Sequence, residues 1–362
     1  MKAAVLNQRD GRFDVEDIDI SAPISREVSV DVRAAGLCHS DLHFARNDFG
    51  TPIPAVFGHE VAGVVSALGP DVSEFEVGDH VVGCILQWCG RCVPCRAGRT
   101  YQCRDRSVTL RDPAQGHRLT RRGEPIHAMF GTAGFAEATL IHENQLAKVP
   151  KDLPFPQAAI LGCGTVTGVG AAINTAAVRP GDAIAVIGVG GVGLNVLSGA
   201  RLAGATQLIA VDLHPAKLEL AKRFGATDVI DASKTDPVEI VRALSGGGVH
   251  HAFEVVGTQR TALQALEMLA DGGGAYLIGV QAPGSSITVD IMAGLISTQR
   301  KLQGVYFGNT NLKTDIPLYA DLYLQGRLNL DDLISREIDL TEINEAYGDL
   351  EDGEIARAVI RF

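Results

Sequence analysis

Asp182-Ala-Ile-Ala-Val-Ile187-Gly188-Val-Gly190-Gly191-Val-Gly193-Leu194 decides the fold. Its first part is a short apolar, β-rich run of the kind buried on both faces of a parallel sheet. Gly188, Gly190, Gly191 and Gly193 follow at once, with Val192 among them, and then a helical pattern through Leu194, Leu197, Arg201 and Leu202. Gly204 stops that helix, and a second apolar run, Gln207 to Val211, ends in Asp212. The whole reads as a βαβ unit. In such a unit the glycines permit a tight turn and let backbone N–H groups approach a pyrophosphate at the positive end of a helix. Asp212, about 20 residues past the last glycine, is placed to accept hydrogen bonds from a ribose hydroxyl. A carboxylate there also repels a 2′-phosphate, which favours NAD over NADP.

The alternation continues toward the C-terminus. Lys217 to Phe224 reads as a helix, Asp228 to Ile230 as a strand, Asp236 to Leu244 as a helix and Ala252 to Val256 as a strand. Thr261 to Leu269 and Ala275 to Val280 supply one more helix and strand. The class is therefore α/β, with a doubly wound parallel sheet spanning 165–306. Before it, Val28 to Ala34, Val61 to Ala67 and His80 to Leu86 read as short strands between Gly, Pro and Asp, which predicts a β-rich domain over 1–164. Two uncharged stretches, Ala158 to Val178 and Ala183 to Ala200, are long enough to raise the question of membrane spans. Both are rich in Gly, Ala and Thr, and Arg179-Pro180-Gly181-Asp182 between them is a turn signal, so buried segments of an α/β domain are expected.

Cysteine usage is uneven. Cys89, Cys92, Cys95 and Cys103 follow the pattern C-x2-C-x2-C-x7-C, which leaves only Cys38, Cys84 and Cys163 elsewhere. Four thiolates close a tetrahedron around zinc and leave no vacant position, so that cluster reads as a structural site. Cys38, His59 and Cys163 can form a second, open site. The formal net charge of −11 argues against sequence-independent attraction to nucleic acid or to anionic membrane, leaving small molecules as the expected partners. The N-terminus meets polar and acidic residues too early for a signal peptide, and an odd number of thiols at metal-ligand spacing fits a reducing compartment. A cytoplasmic protein is expected.

Gly36-Leu-Cys38-His-Ser40-Asp-Leu-His43, Gly58-His59-Glu60-Val-Ala-Gly63-Val-Val, Val77-Gly-Asp79-His-Val, the four-cysteine lobe, Gly162-Cys163-Gly164 and the dinucleotide motif stand in one order. In that order the chain resembles the zinc-dependent medium-chain alcohol dehydrogenases over nearly its whole length. The segment Ser107 to Phe130 resembles their longer, usually dimeric branch. The resemblance implies a GroES-like β-rich catalytic domain, a Rossmann domain, and a C-terminal return, 307–362, to the catalytic domain.

It also implies roles. Cys38, His59 and Cys163 would hold a catalytic zinc, with Glu60 a conditional ligand, and Asp41 would orient His59. Two thiolates and a neutral imidazole cancel the charge of Zn²⁺, so a bound alcohol still meets an electrophilic metal. Ser40 and His43 resemble the family's proton relay, with His43 at the surface. His39 and Arg357 match pyrophosphate-contacting positions, and Thr167, Lys217, Val255, Ile278 and Val280 match further cofactor contacts. Phe49, Ile85, Trp88, Phe130 and Ile278 align with the substrate channel, an apolar set that suits aromatic, allylic or medium-chain primary alcohols. The implied activity is reversible hydride transfer between such an alcohol and NAD in a homodimer with two zinc ions per chain. A close branch acts on the adduct of formaldehyde with glutathione and uses an acidic residue at the channel mouth; Phe49 occupies the aligned position here, with Asp48 beside it. A zinc-stabilised protein that binds NAD(H) without catalysis is the alternative from another class.

Overall fold

The computed structural model describes residues 1–352 and 355–362. It divides into two compact units, Met1–Cys163 with Asn311–Phe362, and Gly164–Thr310. The expected boundaries shift slightly: Gly164 belongs to the second unit, and the return begins at Asn311 instead of 307. The turn Phe307–Asn309 stays with the second unit, where the Thr310 hydroxyl donates to the Val166 carbonyl at 3.2 Å. Asn311 starts a new element, its side chain capping the helix Leu312–Leu324.

The first unit is built on the long strand Glu27–Gly36. Val28, Val30, Val32 and Ala34 are buried while Ser29, Asp31 and Arg33 are not, the two-residue period of a strand with one face in the core. It pairs antiparallel with Ala138–His142, with Glu60–Leu68 and with the last strand, Ala358–Arg361. The register sets Gly36 opposite both Glu60 and Val359. Segments far apart in sequence thus meet at the end of one strand. A Cβ on Gly36 would meet the Glu60 carboxylate, which would have to shift to admit it.

In the second unit the strands Asp228–Asp231, Gln207–Asp212, Ala183–Ile187, Val249–Glu254, Leu269–Leu277 and Lys301–Gly304 form a parallel sheet in that spatial order. Strand order reverses at Ala183–Ile187, whose carboxyl end runs into the glycine loop and the helix Gly191–Leu202. Such a reversal opens a crevice for a ligand. The strand expected to reach Val256 stops at Glu254. The N–H groups of Val256 and Gly257 turn back to that residue's own buried carboxylate, at 2.8 and 2.7 Å.

A helical run from Phe155 to Thr175 is apolar and long enough to cross a membrane, but most of it is buried inside the protein, as a core helix of a soluble domain would be. The division between the units falls within this run.

Candidate active site

The four-cysteine lobe is made by one short piece of chain. Cys92 precedes the single turn Val93–Arg96, and its sulfur lies 3.4 Å from that of Cys95 and 4.0 Å from that of Cys103. All four sulfurs fall within 4.8 Å of one another. A tetrahedron with Zn–S bonds of about 2.3 Å needs sulfurs roughly 3.8 Å apart, so the set fits zinc. Backbone N–H groups of Cys89 and Asp105 point at the Cys103 sulfur, and that of Cys92 at Cys89. Such donors favour thiolates: those of Arg104 and Cys95 pull the Cys92 thiol down to about 6. Burial, and then its neighbour Cys92, pushes Cys95 up to about 12, because four like charges cannot share this space without a cation.

The second set draws on three elements. Cys38 ends the turn after the strand Glu27–Gly36 and precedes the helix His39–Arg46. His59 and Glu60 sit where the strand Glu60–Leu68 begins, and Cys163 lies in a π-helical turn, Leu161–Thr165. One ligand atom from each of Cys38, His59, Glu60 and Cys163 lies within the same 4.8 Å. His59 Nε2 is 3.2 Å from the Cys163 sulfur. His59 and Glu60 are fully buried, and the two cysteines nearly so. Wide turns of the π kind recur where a helix must present a functional side chain. With thiolate and imidazole donors converging and a carboxylate at hand, the set also fits zinc.

Charges around these donors are balanced in pairs. Asp41, fully buried on the first turn of its helix, accepts from the Gly58 N–H at 3.2 Å, and its other oxygen lies 2.9 Å from His59 Nδ1. That fixes Nε2 as the atom turned toward the cysteines. Gly58 itself has φ +91° and no room for a side chain against Phe135. The Cys38 thiol is held well below the usual range, first by the hydrogen bond it shares with Cys163 and then by the Arg357 charge. Burial raises Glu60 to about 7 even though Arg357 opposes it. The remaining thiol, Cys84, is buried and pushed up to about 11 by desolvation, which leaves it protonated and inert.

Around these donors stand the other residues singled out in the sequence. Arg357, expected on a pyrophosphate, is only 4 % exposed, with its guanidinium 3.2 Å from Glu60 Oε1 and 3.9 Å from the Cys38 sulfur. The pairing of the last strand beside Gly36, and the bond from Leu37 N–H to the Ala358 carbonyl, put it there. His43 is half-buried instead of lying at the surface: its Nε2 is enclosed without a protein partner, and Asn47 Nδ2 lies 3.5 Å from its Nδ1. Ser40 is half-buried one turn before it, and His39 is exposed. Phe49 and Phe130 gather with Phe44, which sequence reasoning missed. Trp88 does not join them. Its ring packs on the cysteine lobe and its indole N–H donates to the Asn144 carbonyl at 2.6 Å. Ile85 is half-buried between the two regions in sequence.

In the second unit Asp212 receives the N–H groups of Val189, Leu213 and His214 at 2.7–3.0 Å, which ties the glycine loop to the carboxyl end of the neighbouring strand. Gly188 has φ +90°, and a Cβ on Gly193 would strike the Gly188 carbonyl. Lys217 is half-buried on the helix after Asp212. Thr167 is buried, Val255 and Ile278 are half-buried, and Val280 is 54 % exposed.

A GroES-like catalytic unit carrying two zinc-type donor sets, joined in one chain to a Rossmann sheet, defines a class: the zinc-binding dehydrogenases. The comparisons agree. The Alcohol dehydrogenase GroES-like domain matches residues 25–151 and the Zinc-binding dehydrogenase domain matches residues 191–323. Alcohol dehydrogenase 1 of Pisum sativum is 34 % identical, with 99 % of this chain and 96 % of the relative covered. An S-(hydroxymethyl)glutathione dehydrogenase from a Synechocystis species is 35 % identical, covering 100 % and 99 %. Among solved structures, benzyl alcohol dehydrogenase from Acinetobacter calcoaceticus superposes with a TM-score of 0.94 at 35 % identity, covering 100 % and 99 %. The chain belongs to the zinc-dependent medium-chain alcohol dehydrogenase family.

Proposed function

We propose that this protein is an NAD-dependent alcohol dehydrogenase that interconverts a primary alcohol, aromatic, allylic or medium-chain, with its aldehyde. The observation that carries the reading is the buried convergence of Cys38, His59 and Cys163, backed by Asp41 and flanked by the Glu60–Arg357 pair. When bound, zinc would supply a Lewis acid for the alcohol oxygen and NAD a hydride acceptor. The chain's own groups do the rest. Cys38, His59 and Cys163 hold the metal, Asp41 fixes the His59 ring, and Glu60 is a ligand in reserve whose charge Arg357 offsets. The Ser40 hydroxyl takes the alcohol proton and His43 carries it onward. The Gly188–Gly193 loop and Asp212 suit the pyrophosphate and ribose of NAD.

A second reading has support from the Synechocystis relative, whose name specifies a glutathione adduct. It needs a free acid near Phe49. The Asp48 carboxylate accepts from Arg9 at 3.3 Å and from the Gly50 N–H at 2.8 Å, bracing its own loop. Both bonds fall on Oδ1 and the side chain is 77 % exposed, so the other oxygen stays open to a thiol cofactor and the substrate panel decides between the readings. A non-catalytic role is disfavoured by the intact donor set. Self-association fits the exposed edge strand Lys301–Gly304 together with the exposed Ile291, Met292, Ile296 and Tyr306, and we infer a homodimer. Free thiols throughout suit a cytoplasmic location.

The test follows NAD reduction by absorbance over benzyl, cinnamyl and aliphatic alcohols, and over formaldehyde with glutathione. Oxidation of free alcohols that vanishes in Cys38→Ser supports the proposal. Turnover of the thiol adduct alone moves the protein to the second reading, and no turnover with any substrate removes both.

A further inference from the structure

Phe44 stands outside the pocket residues that the family pattern supplies. Its ring centroid is 4.5 Å from that of Phe49 and 5.0 Å from that of Phe130, which it meets edge to face. Phe130 in turn stands edge-on to the His59 imidazole at 5.6 Å, and His43 lies against Phe49 at 5.3 Å. The rings run without a break from Phe49, 37 % exposed, to a fully buried metal ligand, with the proposed relay histidine alongside. All of this lies within the first unit.

The array is held from behind. Phe130 takes a left-handed backbone conformation, φ 57° and ψ 7°, which residues with a side chain rarely adopt. Its carbonyl accepts at 3.0 Å from the amide of the buried Gln145, which also donates to the Cys84 carbonyl at 3.2 Å. Phe44 is fixed through its own carbonyl, which accepts from Arg9 at 3.0 Å, while the same guanidinium donates to the Thr51 carbonyl at 2.7 Å. Backbone strain of this kind persists where the surroundings over-determine it, and it gathers at sites that must hold a shape for a ligand.

We propose that Phe44 is a specificity-determining residue: with Phe49 and Phe130 it forms an aromatic wall, leading to His59, that selects primary alcohols carrying an aryl ring over aliphatic ones. The inference rests on the alcohol dehydrogenase reading and narrows its substrate class. The physical ground is that an aryl ring gains edge-to-face contacts with such a wall beyond the area it buries, whereas an alkyl chain gains only the area. Phe44 acts from the middle, where it sets the angle of both neighbours.

The experiment compares kcat/KM for benzyl alcohol and ethanol in the full-length wild type, Phe44→Leu and Phe44→Ala, with zinc content and NADH affinity measured on each. In Phe44→Leu the benzyl-to-ethanol ratio is expected to fall by about 5- to 10-fold, the scale of an aromatic pair, with zinc and NADH binding unchanged. Phe44→Ala should lower the ratio further. An unmoved ratio in an active Phe44→Leu overturns the inference and leaves the function reading intact. Loss of zinc or of NADH binding in Phe44→Leu assigns the ring to packing, and also overturns it. A wild type that oxidises no free alcohol overturns the function reading and the inference with it.

Discussion

The two cysteine-bearing sites use the same chemistry and are built in opposite ways. The lobe takes its four sulfurs from Cys89 to Cys103, a stretch that chelates as a local unit and keeps Cys92 partly in solvent. The second site gathers Cys38, His59 and Cys163 from separate elements, and the guanidinium beside it, that of Arg357, comes from 319 residues beyond Cys38. A local chelate needs only the right spacing. A dispersed one needs the whole sheet in register, and in exchange it sits in a low-dielectric setting where every charge must be answered by another. On the proposed function, structure and reactivity divide between a site made within one short segment and a site that the fold assembles.

Cys38→Ser strikes the dispersed site hardest. Alcohol oxidation should fall below detection, and bound zinc should drop from two ions per chain to one, while the melting temperature moves little; retained activity breaks the division. Cys95→Ser is the counterpart in the lobe. It should also lose one zinc but lower the melting temperature by roughly 10 °C, with activity following the loss of folded protein. Arg357→Met tests whether the dispersed site depends on its counter-charge. Leaving Glu60 buried without a partner should cost about 3 kcal/mol in a denaturant titration, and a smaller figure would mean that the ion pair is dispensable.

The segment that follows the lobe has its own anchor, the buried Glu27, which takes Arg118 at 2.8 Å and Arg111 through both carboxylate oxygens. Although burial opposes it, hydrogen bonds from Arg111 and the charge of Arg118 hold the Glu27 carboxyl below its usual value. A carboxylate depressed in the folded state contributes stability that is present above its unfolded pKa, near 4.5, and is lost as pH falls through the folded value. The wild type should therefore lose stability steadily below pH of about 4.5, and Glu27→Gln should flatten that slope. Identical acid profiles for the two proteins would remove Glu27 from the account. The smallest effect is expected from Asp48→Ala, outside both sites, which should change alcohol kcat/KM by less than about twofold.

How much was legible in the sequence follows the same division. The lobe could be read from spacing alone, and so could the glycine loop with Asp212, because each is a local pattern. Cys38, His59 and Cys163 were legible through resemblance, since no spacing rule links residues so far apart. The pairing of Arg357 with Glu60 was not legible, because it depends on Val359 lying beside Gly36, a register that the strand's own residues do not announce. Phe44 was missed because a phenylalanine on a short helix reads as core packing; only the left-handed backbone of Phe130 turns it toward a purpose. The contact of Trp88 with the lobe was likewise not legible, since its indole N–H takes the carbonyl of Asn144, distant in sequence, as its acceptor.

The last strand, Ala358–Arg361, completes the sheet whose central member is Glu27–Gly36. The second unit, by contrast, is one continuous segment, Gly164–Thr310. During synthesis on a ribosome, the Rossmann half can therefore reach its final form while the half begun earlier is still waiting for its final strand. The half that carries both cysteine sites begins before the nucleotide half and is finished after it, and Arg357 emerges later than every residue of the nucleotide half. A nascent chain stalled shortly before that strand would carry a closed cysteine lobe and a folded nucleotide domain beside a sheet edge still open to the wrong partner.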